Sequence, residues 1–515
     1  TVMDDVASQI IFNYASMKSQ YQLAVAPSPV SYDYVIITTD SLQSAVQPLV
    51  TWKTAIGYSV NVVTTSWIST NYSGRDLPEK IRNFLIDKYA EWGTKYVLIV
   101  GSHSTIPMRY CYPYPSDHGS NSRIPTDYYY ADLNGDWDSD GDGYFGEYGQ
   151  DNPGYHPEVY VGRLPFDDGA TVSSICDKSV SFEQDSGAWK KKALLLGAIA
   201  NYGSEDHVWN AWRTDDAVLM EKCWNDILKD NGYSSERMYE KAGLAPSTYA
   251  CDHPLTNSNV LDASYGWPSG YGIVNWGAHA WPATVHRQVW AWDDGDGIPE
   301  RETEMDLPVF ISSGDASSLD DSKPAIVFSC SCLTAYPENA NNLGNSLLQQ
   351  GAVAFVGATR PVWYVCGWDG GLLFDGFSSS TDYSFFAHLI NVNQKCGDAL
   401  YNAQVHEYDL HFLHSSDNWQ NMFAFCLYGD PSLGTATISP PQPGSWTKVA
   451  TPKENGTDNV IRQNSDIKDF VVSADGETIY AIGMMSDGSP KLWKSTNGGA
   501  SFTDKTSKVA KVAAF

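Results

Sequence analysis

Short, almost purely apolar runs recur along the first 360 residues, and each is separated from the next by a stretch with helical periodicity. Tyr32–Thr38 (YDYVIIT), Tyr58–Thr64 (YSVNVVT) and Tyr96–Val100 (YVLIV) read as strands, with helices expected over 42–56 and 77–92 between them. Strand, helix, strand, helix, strand is the grammar of a parallel α/β sheet, whose strands are covered on both faces and so lose the alternation of a half-exposed sheet. A further strand is expected at 158–161. A second series begins at Lys192–Ile199 (KALLLGAI) and continues through a helix over 215–231, strands at 272–276 and 325–328, a helix near 344–350 and a strand at 352–356.

This pattern predicts two side-by-side α/β subdomains with mainly parallel sheets, 31–185 and 186–435, preceded by a lead-in over 1–30. The linker Ser439–Ser445 (SPPQPGS) opens a β-rich segment over 436–515 in which apolar runs alternate with turns. Within it Ser495–Phe502 (STNGGASF) resembles the Asp-box turn of propeller repeats, with Asn497 in the Asp place. One such blade cannot close a propeller. The tail therefore reads as a small β module, or as the start of an array with further C-terminal domains.

Charge and composition narrow the function. The formal net charge of −28, from 61 acidic and 33 basic residues, repels phosphate backbones, so a nucleic-acid partner is not expected. No apolar run is long enough for membrane insertion. With 18 Trp and 31 Tyr against 18% charged residues, the surface is polar and aromatic, a character expected outside the cell. A chain that opens on Thr1 without a leader fits the mature part of a secreted precursor. The nine cysteines include no CxxC pair and are too sparse for a disulfide scaffold.

Loops at the carboxyl ends of strands form the ligand crevice in open α/β sheets. Two such loops carry chemistry. The strand at 272–276 runs into Gly277-Ala-His-Ala280, and the strand at 325–328 into Ser329-Cys-Ser-Cys-Leu-Thr334. A thiol is mostly protonated at neutral pH, and an imidazole facing it withdraws the proton and later protonates the leaving amine. His279 and Cys332 are the residues so placed, and backbone N–H groups at Gly277 and Cys332 are expected to form an oxyanion hole. Cys330, two residues earlier, reads as core packing. A Cys330–Cys332 disulfide is disfavoured by geometry.

Asn275-Trp-Gly-Ala-His-Ala280 and Ser331-Cys-Leu-Thr-Ala335 resemble the histidine and nucleophile motifs of the gingipain family of caspase-like cysteine peptidases. Their separation, 332 − 279 = 53, suits the roughly 50 residues between histidine and cysteine in caspases. Ile124–Asp132, Glu158–Arg163 and Phe425–Ser432 resemble further family signatures in the family order, so the resemblance spans about 30–435. Ala280 and Ala335 stand where the family usually has glycine. The resemblance implies a gingipain-like fold and an acidic residue that orients the histidine from the loop after 192–199. Glu205 suits that role, while Asn201 would give a Cys-His-Asn set. It also implies a primary pocket in which Asp215 or Asp216 could meet a basic substrate residue and Trp363 could form a wall. Helix initiation by the acids, and core or surface packing for Trp363, are the bland alternatives.

Two acidic loops have calcium spacing. Asp136, Asp138, Asp140, Asp142 and Glu147 fit the D-x-D-x-D-G-x5-E pattern, and Asp293, Asp294, Asp296 and Glu300 form a second set. Oxygen-only ligands favour structural Ca2+ over zinc. The expectation as a whole is a secreted, calcium-stabilised cysteine endopeptidase acting on protein or peptide substrates. The rival from another class is an inactive peptidase-like binding module that attaches to extracellular proteins or glycans.

Overall fold

The structure is a computed structural model. It describes residues 31–439 and 466–508, apart from 115, 120–121, 210, 371–375, 412–414, 474–477, 486–488 and 498–500. The expected lead-in and most of the Pro-rich linker lie outside the described residues, as do the glycines of the Asp-box turn.

Residues 30–440 form one compact unit around an eleven-stranded sheet. In chain order its strands are β1 (Tyr34–Thr38), β2 (Val60–Thr64), β3 (Tyr96–Val100), β4 (Tyr160–Leu164), β5 (Lys192–Gly197), β6 (Ser234–Tyr239), β7 (His253–Pro254) and β8 (Ile273–Gly277). After these comes a small sheet of β9 (His279–Trp281), β10 (Thr284–His286) and β11 (Val309–Ser312). The main sheet is then completed by β12 (Ala325–Cys330), β13 (Ala352–Ala358) and β14 (Phe425–Gly429). The order across the main sheet is β7-β6-β5-β8-β12-β13-β14-β4-β3-β1-β2. All neighbours pair in parallel except β13 and β14, and the two expected halves join in one continuous sheet where β14 pairs in parallel with β4, Tyr428 opposite Arg163.

Helices cover both faces, which is why the central strands are buried throughout and read as unbroken apolar runs. Local chemistry fixes their ends. The helix α1 spans Gln47–Ala55 and α2 spans Leu77–Trp92. In α2 the Asp76 side chain caps the first turn, a proline occupies it, and Gly93 at φ 71° closes the last. Three strands of the main sheet departed from expectation, one of them the two-residue edge strand β7. β6 (SSERMY) is polar because it is largely half-buried, and β14 (FCLYG) is too short to separate from the signature that contains it.

A buried ionic cluster ties β14 to the helical layer. Lys53 of α1 is completely buried and lies 2.7 Å from both Glu183 and Asp430. Glu183 sits in α3 (Gly169–Gln184) and also accepts from the Trp52 indole, while Tyr34 donates its hydroxyl to Asp430. The lysine stays charged because its two carboxylate partners outweigh the desolvation that lowers its pKa.

The second unit contributes a four-stranded antiparallel sheet, β15 (Asp466–Val472), β16 (Ile479–Met484), β17 (Pro490–Ser495) and β18 (Thr503–Asp504), packed on Ala481, Met485 and Trp493. Asn497 accepts the Ser501 N–H at 3.0 Å across its turn.

Replacing Lys53 by Met would leave Glu183 and Asp430 as two unpaired buried carboxylates. We expect a loss of about 3–5 kcal/mol, read as a lower urea midpoint at unchanged m-value.

Candidate active site

The site is built by register. In the parallel pair β8–β12, Gly277 stands opposite Cys330. The chain continues from each for two residues, to His279 on one side and Cys332 on the other. Ala278 N–H donates to Cys330 O at 3.3 Å and holds the two exits together. His279 and Cys332 line the same small cavity of about 30 Å³, with Asp216, Ala200, Val362 and Tyr364 around them.

His279 is oriented by a backbone carbonyl. Its Nε2 lies 2.7 Å from Ala200 O, and since a carbonyl only accepts, the proton sits on Nε2 and Nδ1 keeps its lone pair. The Tyr364 hydroxyl donates to the same oxygen at 3.1 Å, and its ring meets the imidazole edge-on with centroids 6.2 Å apart. Burial pulls the His279 pKa down, so the ring is a neutral base at pH 7.

Cys332 follows the end of β12 and is half-buried. Its Sγ accepts the Val362 N–H at 3.5 Å and donates to Val362 O at 3.7 Å. Burial pushes the thiol pKa up, so the resting group is a thiol. The next residue, Leu333, is held at φ 63°, a conformation that costs a branched side chain strain of order 1–3 kcal/mol. That strain is held by its surroundings: Leu333 N–H donates to Arg360 O, Ala335 N–H to Ala358 O, and the Trp276 indole to Ser331 Oγ. Ala335 is buried at negative φ and Ala280 lies in β9, so both methyl groups are accommodated where the family usually has glycine.

Other expected residues fall elsewhere. Glu205 is buried against Arg301 (2.8 Å), Gln288 (2.6 Å) and the Tyr202 N–H (2.9 Å). Asn201 donates its amide to the carbonyls of Tyr202 and Trp212. Among the described residues neither hydrogen-bonds His279. They brace the 199–215 hairpin that presents Ala200 O, because Ile199 and Asn201 pair with Asp215 and Thr214. Gly277 sits inside the β8 ladder, where its carbonyl accepts the Ala198 N–H, so it is a packing glycine: a Cβ there would lie 2.6 Å from the Cβ of Asp216. Gly197 makes the same close approach to Ala217, and the two glycines let α4 (Ala217–Lys222) begin directly against the sheet.

That approach carries Asp216 to the floor of the cavity. It is 7% exposed, and burial, with the neighbouring Asp215, pushes its pKa to about 8. Asp215 instead faces Arg213 at 3.7 Å. Trp363 follows Val362, with its backbone clamped by both ends of the Asn421 amide and its ring 44% exposed. Ala200, Tyr364 and Val362 were missed from sequence because backbone groups and a lone tyrosine leave no motif. So was Asp382, completely buried and hydrogen-bonded by Asn275 at 2.8 Å.

The acidic loops also rearrange. Ligand oxygens of Asp138, Asp140 and Asp142 lie within 4.8 Å of one another, as do those of Asp293, Asp294 and Asp296. Gly141, Gly143, Gly295 and Gly297, all at positive φ, provide the turns. Asp136 pairs through its backbone with Asn152, outside the first cluster. Glu147 is buried, with Oε1 on His118 Nε2 at 2.7 Å and Oε2 without a partner among the described residues. Glu300 groups with His207 and Asp296. Oxygen donors on glycine turns fit a hard divalent cation at both loops.

Among the described residues no helix is long and apolar enough to cross a membrane. No curated protein matches the chain. Solved structures do. The crystal structure of the Arg-specific cysteine proteinase gingipain R (RgpB) matches at 15% identity and a TM-score of 0.56, covering 93% of this chain and 99% of that one. The complex of the RgpB pro- and mature domains from Porphyromonas gingivalis matches at 16% identity and a TM-score of 0.55, covering 92% and 99%. At these identities the likeness establishes the gingipain-like α/β fold. The model of peptidase family C25 matches residues 28–436, nearly the whole unit that carries Cys332 and His279, and the chain belongs to that family of cysteine peptidases.

Proposed function

We propose that this chain is a secreted cysteine endopeptidase that cleaves protein or peptide substrates after a basic residue, with Cys332 as nucleophile and His279 as general base and then general acid. The carrying observation is that the thiol, the imidazole and a buried carboxyl, Asp216, with no cationic partner among the described residues, line one cavity. His279 Nδ1 takes the proton from Cys332 Sγ as the sulfur attacks the scissile carbonyl carbon. The resulting oxyanion faces the Cys332 N–H, at the turn where the chain leaves β12. Collapse breaks the C–N bond, the amine departs with the proton from His279, and water assisted by the same imidazole then hydrolyses the thioester. Ala200 O and Tyr364 keep the ring in the required tautomer throughout.

A cationic side chain before the cleaved bond would reach Asp216, as the arginine specificity of gingipain R suggests. Half-exposed Trp363 would flank it. Calcium in the two acidic loops would hold the segments 136–151 and 293–304, the second of which contacts the 199–215 hairpin through Arg301 and Glu205. The acidic, aromatic surface suits an extracellular medium.

Three outcomes test this reading. Cys332→Ala should lower kcat by about 10³-fold or more with an unchanged melting temperature, whereas Cys330→Ala should leave hydrolysis intact. Full activity in Cys332→Ala would overturn Cys332 as the nucleophile, and absence of hydrolysis by the unaltered protein would favour the binding-module reading.

Asp216 gives a pH signature. In the free protein its carboxyl is protonated below about pH 8, and a bound cation requires the carboxylate, so binding a basic residue must expel a proton. The ratio of kcat/KM for arginyl over neutral substrates should therefore rise with pH up to about 8 and be flat in Asp216→Asn.

Removing calcium with a chelator should lower the melting temperature, since calcium at a hundred times its Kd adds about 2.7 kcal/mol. An unmoved melting temperature would remove the metal from the account.

A further inference from the structure

A much larger cavity, about 570 Å³, opens at the carboxyl ends of β3 and β4 and shares no lining residue with the Cys332–His279 cavity. Its walls are the loops 102–104 and 165–167 on one side, and on the other the segment 337–341 and the helix α5 (Leu343–Gln349). Loops past strand ends are where open α/β sheets hold their ligands.

Hydroxyl and amide groups of Ser104, Asn341 and Gln349 can donate or accept, but the charged and buried polar groups of this cavity are biased toward accepting. Arg163 is turned inward, bidentate on Asp127 at 2.6 and 2.7 Å, with its other N–H groups on Gly101 O and Ile106 O. It presents no free positive charge. His103 accepts the Met108 N–H at Nδ1, so Nε2 carries the single proton and donates to Tyr110, which donates onward to Glu338. Burial lowers the His103 pKa and keeps the ring neutral. Glu338 is neutralised by Arg360.

The one charged group of this cavity left without an opposite charge among the described residues is Asp167, an exposed residue whose carboxylate accepts from the N–H and hydroxyl of Ser102. The opposite wall contains Asn345, 5% exposed, whose amide N–H donates to Ala340 O and whose Oδ1 has no hydrogen-bond partner among the described residues. A lone carboxylate and an unused amide oxygen both call for N–H donors, and the first calls for positive charge.

We propose that this cavity is a second ligand site and that it takes a small organic ammonium compound, with Asp167 as counter-ion and Asn345 Oδ1 as acceptor. The site lies behind the nucleophile loop: Glu338 holds Arg360, whose carbonyl accepts the Leu333 N–H next to Cys332.

The test is isothermal titration of 1,4-diaminobutane into the Cys332→Ala protein, with 1,4-butanediol as the uncharged isostere. Glycylglycinamide in a third arm compares a peptide amino terminus with a free amine. The diamine or the peptide amine should bind at least tenfold more tightly than the diol. Asp167→Asn and Asn345→Leu should each weaken that binding about tenfold without lowering the melting temperature, and Asp216→Asn should leave it unchanged. Affinity of both amines no greater than that of the diol, or no measurable binding by either amine, would overturn the proposal. So would loss of binding in Asp216→Asn with retention in both cavity variants, which would place the amine in the primary pocket. The arrangement stands or falls without reference to peptidase activity, because the readout is binding in a protein that lacks the thiol.

Discussion

Everything at the candidate site follows from the parallel pairing of β8 with β12. Parallel strands point their carboxyl ends the same way, and the register that sets Gly277 against Cys330 puts His279 and Cys332 at the same distance past the sheet edge. A slip of one residue would turn each strand's side chains to the opposite face and separate the two groups. The register is fixed from both sides, since β5 pairs with the far edge of β8 and β13 with the far edge of β12, all four being buried. The chemistry is therefore set by packing in the sheet, and the loops add only two residues each.

The same packing decides the charge states. Gly197 and Gly277 allow α4 to start against the strand ends, and this brings Asp216 out of solvent and into the cavity floor. Burial then opposes its ionisation, as it opposes that of Cys332 and the protonation of His279. A neutral thiol, a neutral imidazole and a neutral carboxyl rest together without mutual repulsion. Charge would develop only when substrate arrives and the proton moves from sulfur to nitrogen. Farther away the fold solves the opposite problem with Lys53, which keeps its charge in the core by binding two carboxylates at once.

Much of this was legible in the sequence. The apolar runs placed most of the central strands, because a strand covered on both faces has no choice but to be apolar along its length. The histidine and cysteine motifs were legible because they sit immediately past such runs. What escaped was contributed by backbone or by tertiary approach. The group on His279 is Ala200 O, which any residue could provide. The acid and amide offered for that role, Glu205 and Asn201, instead brace the hairpin carrying that carbonyl. Asp216 was singled out with Asp215, but only the glycines at 197 and 277 explain why Asp216 is the one that reaches the cavity. In the acidic loops the spacing pattern anticipated a ring that includes Glu147. The chain folds that side chain inward onto His118, since one residue's burial is set by neighbours that spacing does not encode.

The account rests on one thiol among nine, all free in the structure, of which Cys366 is the most exposed. Its most direct test is to treat the protein with a peptidyl chloromethyl ketone ending in arginine and to locate the adduct by mass spectrometry. The account predicts a single adduct on Cys332, formed only when His279 is present. An adduct confined to Cys366, or labelling of Cys332 that is indifferent to His279→Ala, would contradict it.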